Sequence, residues 1–114
     1  MILIDLLRNK GFKVGVYTNS IRQTAEAMLK YAGIFDKLDV LVTNQDVSAP
    51  KPDSEGYELA CGLLQVAPGN TFVVEDGEYG SEAAIKAGCK LIKVSNPQDV
   101  SIATLSRFIP EILL

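Results

Sequence analysis

The sequence predicts an α/β fold: a mainly parallel four-stranded sheet with helices on both faces. Three observations point there. Short β-rich runs alternate with helical periodicity along the whole chain. The intervening helices are about ten residues long, which suits right-handed βαβ crossovers and parallel strands. One run, Thr71-Phe72-Val73-Val74, is nearly all apolar, as a strand covered on both faces is.

The elements follow in order. Residues 2–10 place Ile2, Leu3, Leu6 and Leu7 at helical spacing, and Gly11 stops that helix. Lys13–Tyr17 is the first strand, running into Thr18-Asn19-Ser20. Residues 21–32 form the next helix, with Ile21, Ala25, Met28, Leu29 and Ala32 on one stripe. Ser20 or Asn19 caps its start and Gly33 ends it. Leu38–Val42 is the second strand, and a polar loop runs from Thr43 to Asp53. Residues 54–65 are helical, with Tyr57, Ala60, Cys61 and Leu64 facing inward. Thr71–Val74 is the third strand, ending in Glu75-Asp76-Gly77. A small-residue helix spans Ser81–Ala87 and closes at Gly88. Lys90–Val94 is the fourth strand, and a short last helix starts at Ser101 and uses Ile102, Leu105 and Ile109.

At 114 residues the chain is a single domain, 1–114. Lys plus Arg number 11 against 14 Asp plus Glu, a net charge of −3, and 47% of residues are hydrophobic. That is a globular balance able to support a core without staples. No histidine is present, which excludes Ser-His-Asp and Cys-His catalysis and histidine-ligated zinc. Cys61 and Cys89 match no metal or redox pair motif, and a reduced, cytoplasmic setting is the expectation. No basic stripe suits a nucleic acid, and no apolar run approaches the ~20 residues of a membrane span. Met1 reads as a gene start without a secretion leader.

Sites in open α/β sheets lie beyond the carboxyl ends of the strands. The Thr18 hydroxyl, with backbone N–H groups at a helix start, suits a phosphate; an ordinary N-cap is the alternative. Lys51, stiffened between Pro50 and Pro52, suits a fixed anion or is a surface lysine in a rigid turn. Glu75 and Asp76 suit Mg²⁺ or form a solvated acidic loop.

In order, these elements resemble the haloacid dehalogenase (HAD) superfamily of phosphatases and phosphomutases, in its β-phosphoglucomutase and phosphoglycolate phosphatase branch. Val16-Tyr17-Thr18-Asn19-Ser20 resembles the second motif of that family, Ala49-Pro50-Lys51-Pro52-Asp53-Ser54-Glu55-Gly56-Tyr57 the third, and Val73-Val74-Glu75-Asp76-Gly77 with the helix after it the fourth. The resemblance runs from about Leu3 to Val94. It implies a Rossmann-like three-layer αβα core. It also implies phosphate binding by Thr18, Asn19 and Lys51, Mg²⁺ at Glu75 and Asp76, and phosphoryl transfer through an aspartyl-phosphate on a phosphorylated small molecule.

The first motif, Asp-x-Asp, has no counterpart here, and neither does the cap domain. Asp5 stands in a helical pattern with no second Asp two positions on. Two readings follow: an incomplete enzyme core, inactive alone and holding Mg²⁺ weakly if at all, or a non-catalytic HAD-like binding or assembly domain. A receiver-like signalling domain fits the motif order less well. In the family the missing strand lies between the strands ending in Thr18 and Glu75. Those two strands are therefore expected to pair directly, or to leave edges that a homodimer or a complementing chain fills; the homodimer is favoured over a monomer.

Overall fold

The computed structural model describes residues 2–113. Helix α1 (Ile2–Asn9) ends at Gly11, whose φ of +89° is a conformation glycine adopts without strain. Strand β1 (Gly15–Tyr17), helix α2 (Arg22–Tyr31) and strand β2 (Val40–Val42) make the first parallel crossover. Helix α3 (Glu55–Leu64), strand β3 (Phe72–Glu75), helix α4 (Glu78–Ala87) and strand β4 (Lys90–Lys93) make the second half. A short helix α5 (Ile102–Ser106) follows, its Thr104 N–H donating to the Ser101 hydroxyl as the sequence predicts.

The α/β class stands, with short parallel strands between helical layers. Strand alternation divides the core between two faces. Val73 and Leu91 pack under α3 and α4 with Tyr57, Ala60, Cys61, Ala83, Ala84 and Ala87. Phe72, Val74, Ile92 and Val94 pack on the other face with Leu3, Leu7, Leu105 and Ile109.

The four strands form two parallel pairs, β1 with β2 and β3 with β4, and β1 does not bond to β3. Direct pairing of those two strands, one of the expected outcomes, does not occur. The reason lies in α3, which packs on β1 and β2 and also on α4, holding the two pairs at a fixed separation. A cavity of about 640 Å³ opens where they face each other, lined by Val16, Tyr17, Val73, Val74, Cys61 and Leu105 among others.

Backbone direction alternates along a strand, so the pairing assigns the slot-facing groups. Val14 C=O and Thr18 N–H bond to β2 and its approach, which turns Gly15 and Tyr17 toward the slot. Thr71 C=O and Glu75 C=O bond toward β4, which turns Phe72 and Val74 the same way.

Three local expectations change. Helix α2 is not capped by Asn19 or Ser20: Ile21 is its N-cap residue, and the Arg22 N–H donates to the Gln45 side chain at 2.8 Å. Of its predicted apolar stripe only Ala25 is buried, while Ile21 and Met28 are exposed because no described element covers that face. Helix α4 starts at Glu78 rather than Ser81. Gly77 in extended conformation opens it, and the acidic first turn suits the positive end of the helix dipole.

Candidate functional site

The carboxyl ends of β1 and β3 converge on the Lys51 ammonium. The loop that carries it is drawn onto α3 by Glu55, whose carboxylate accepts the N–H groups of Ser48 at 2.9 Å and Ala49 at 3.0 Å. The Asp53 carboxylate accepts the Glu55 N–H at the start of that helix. The lysine then reaches across the mouth of the slot. Its Nζ lies 2.5 Å from Glu75 Oε2 and 3.4 Å from the Tyr17 carbonyl oxygen. It also lies 4.9 Å and 5.4 Å from the ring centres of Tyr17 and Tyr57, a cation–π setting.

The Tyr57 hydroxyl donates to the same Glu75 oxygen at 2.5 Å. The two tyrosine rings meet edge to face, 5.0 Å between centres at 88°. Lys51 and Glu75 side chains are only 13% and 11% exposed, so the pair is shielded from solvent screening. Burial by itself raises the Glu75 carboxyl; the Lys51 ammonium and the Tyr57 hydroxyl outweigh it and hold the group below its ordinary value. Burial, then the charge and hydrogen bond of Glu75, push the Tyr57 phenol far up. Burial also raises Tyr17, whose hydroxyl is buried without a partner.

Two glycines make room for this cluster. A Cβ on Gly56 would run into the Tyr17 ring, and one on Gly80 would run into the Glu75 carboxylate. A side chain at either site therefore requires the neighbouring Tyr17 or Glu75 side chain to shift.

The sequence-predicted residues divide accordingly. Lys51 and Glu75 come together in one ion pair. Thr18 sits at the end of β1, but its hydroxyl accepts the Ser20 N–H at 3.1 Å, closing its own turn. Asn19 and Asp76 are exposed beside the site. Glu75 spends Oε2 on both Lys51 and Tyr57, and no group of three Asp, Glu or Cys side chains that could hold a metal gathers among the described residues. A metal here would draw on Asp76 and would need oxygen ligands beyond Glu75 and Asp76. Tyr57 and Tyr17 are the members that sequence reasoning missed: Tyr57 read as an inward-facing helix position and Tyr17 as the end of the first strand. The signal for a ring packed there was Gly56, a buried glycine in a helix's first turn where Ala is intrinsically better, and the ring it admits is that of Tyr17.

Fold and site together define a Rossmann-like α/β core with a lysine held at the carboxyl ends of parallel strands. The model of the haloacid dehalogenase-like hydrolase family matches residues 2–94, and the chain belongs to that family, in its β-phosphoglucomutase-like branch. It is 39% identical over 99 residues to validoxylamine A 7'-phosphate phosphatase of Streptomyces hygroscopicus subsp. limoneus, covering 87% of this chain and 46% of that protein. Among solved structures it resembles CbbY of Rhodobacter sphaeroides in complex with phosphate, at TM-score 0.76 and 28% identity, covering 81% of this chain and 42% of that one. The fold also matches β-phosphoglucomutase of Clostridium difficile at TM-score 0.80 and 20% identity, covering 98% of this chain and 55% of that one. The chain spans about half the length of the relatives it matches.

Proposed function

We propose that this chain is the lysine-bearing half of a phosphoryl-transfer site for phosphorylated small molecules, inactive until a further strand supplies the nucleophile. The observation that carries this reading is the Lys51 ammonium at the mouth of the slot between β1 and β3, beside the open edges of both strands. A parallel strand entering the slot would pair with both edges and deliver its last residue to Lys51. An aspartate there would meet the lysine, which neutralises charge on nucleophile and phosphate. Thr18 and Asn19 hold the phosphoryl oxygens in this reading, and Mg²⁺ bound through Asp76 and Glu75 would neutralise further charge. The validoxylamine A 7'-phosphate phosphatase supports a phosphate ester as substrate, and the relatives named pyrophosphatase support a phosphoanhydride. Without the strand, the two open edges favour a homodimer, since unpaired strand edges seek partners.

The test is p-nitrophenyl phosphate hydrolysis with Mg²⁺, by the chain alone and mixed with a peptide of five apolar residues ending in Asp-x-Asp. The chain alone is expected at background, because enzymes accelerate this reaction by up to ~10²¹-fold and binding groups supply little of that. The mixture is expected above background, with Lys51→Ala abolishing the gain. Lysine-dependent turnover by the chain alone overturns the inactivity; a silent mixture overturns the slot. Light scattering that shows a monomer at high concentration overturns the homodimer.

A further inference from the structure

We infer that Cys61 and Cys89 form an oxidisable dithiol that staples helix α3, which packs on β1 and β2, to the β3–β4 pair. The inference stands apart from the phosphate chemistry. Their sulfurs lie 3.9 Å apart in one buried core cluster, Cys61 on the helix that bridges the two halves and Cys89 beside β4. Cys61 is on α3, which packs on β1 and β2. Cys89 follows the Gly88 cap of α4 and precedes β4, so it moves with the β3–β4 pair. The strands themselves offer no bond between these halves.

Geometry also supplies the route. Cys61 lines the slot cavity, and Cys89 does not. A small oxidant of the hydroperoxide class entering the slot reaches Cys61 from there. Burial and then the neighbouring Cys61 push the Cys89 thiol up to about 12. Closing the pair to a ~2.05 Å bond asks about 1 Å of movement from each sulfur.

The reaction balances with hydrogen peroxide as oxidant. The Cys61 thiolate attacks one peroxide oxygen, the O–O bond breaks, and the departing hydroxide takes the thiol proton and leaves as water. Cys61 is then a sulfenic acid. The Cys89 sulfur attacks the Cys61 sulfur, the S–O bond breaks, and the hydroxyl leaves with the Cys89 proton as a second water. Two thiols are oxidised to one disulfide and one peroxide is reduced to two waters. A strand seated in the slot covers Cys61, so occupancy protects the pair.

The experiment treats the purified chain with hydrogen peroxide and reads intact mass, free thiols and thermal midpoint, before and after dithiothreitol. The expected result is loss of two hydrogens and of both thiols within one chain, a raised midpoint, and full reversal by the reductant. With dimedone present, Cys89→Ser is expected to give the sulfenic acid adduct at Cys61, while Cys61→Ser leaves Cys89 unreacted. Three results overturn the inference. They are wild-type protein that keeps both thiols, oxidation confined to disulfides between chains, or an internal disulfide that leaves the midpoint unchanged.

Discussion

Lys51 and Glu75 form a shielded ion pair that joins the loop after β2 to the end of β3, and both partners lean on Tyr57. The loop's charge is thereby fixed at the mouth of the slot rather than left to solvent. A buried carboxylate needs its donors, and Glu75 has one cationic and one phenolic.

Tyr57→Phe removes the phenolic donor and little else. The ring stays in the core against Tyr17. Hydrogen bonds to charged groups contribute about 1.5–3 kcal/mol, so urea denaturation is expected to show a loss of that order. A variant as stable as the parent would mean that Glu75 does not depend on Tyr57.

Stability should fall in acid for a reason traceable to Glu75. Its folded-state carboxyl is held below the ordinary glutamate value of 4.5. The folded form therefore releases the proton more readily than the unfolded form, and the stabilisation is full above that value. It is lost as pH falls through the lower, folded-state value. Thermal midpoints measured from pH 7 down to pH 3 are expected to drop less steeply for Glu75→Gln than for the parent. Parallel curves would assign the acid sensitivity to other groups, such as Asp46, whose carboxyl is lowered first by the Thr43 N–H.

Gly56→Ala places a methyl group against the Tyr17 ring. Overpacking in a core costs about 1–3 kcal/mol. Because the intrinsic helix preference of Ala over Gly runs the other way, a net loss in chemical denaturation reports the steric clash alone. A gain in stability would show that Tyr17 is free to move aside.

Mg²⁺ is expected to bind the chain alone more weakly than micromolar in calorimetry. Glu75 is committed to Lys51 and Tyr57, and Asp76 by itself is a poor ligand set. A micromolar site lost in Asp76→Asn would show that the acidic pair suffices.

The fold was legible because each strand carries its own β-rich run and each helix its own apolar spacing. Val73 and Ile92 announce buried strands, and Gly11, Gly33 and Gly88, all at positive φ, announce helix ends. Lys51 and Glu75 were legible as separate motifs. Their contact was not, because it joins residues 24 apart through a loop whose path Glu55 sets. Tyr57 was read as core, which its ring is; only its hydroxyl serves the site. The choice between direct pairing of β1 with β3 and two open edges stayed undecided for a different cause. The separation follows from how α3 packs on both halves, and helix-to-helix packing leaves no mark in strand periodicity.

The central claim is an open slot between β1 and β3 that accepts a strand. Amide hydrogen exchange followed by NMR tests it residue by residue. In the chain alone, the slot-facing N–H groups of Gly15, Tyr17, Phe72 and Val74 are expected to exchange much faster than those of Val16 and Val73, which face β2 and β4. Adding the apolar Asp-x-Asp peptide is expected to protect those four and leave the other two unchanged. Four amides already protected in the chain alone, to the same degree at every protein concentration, would contradict the account.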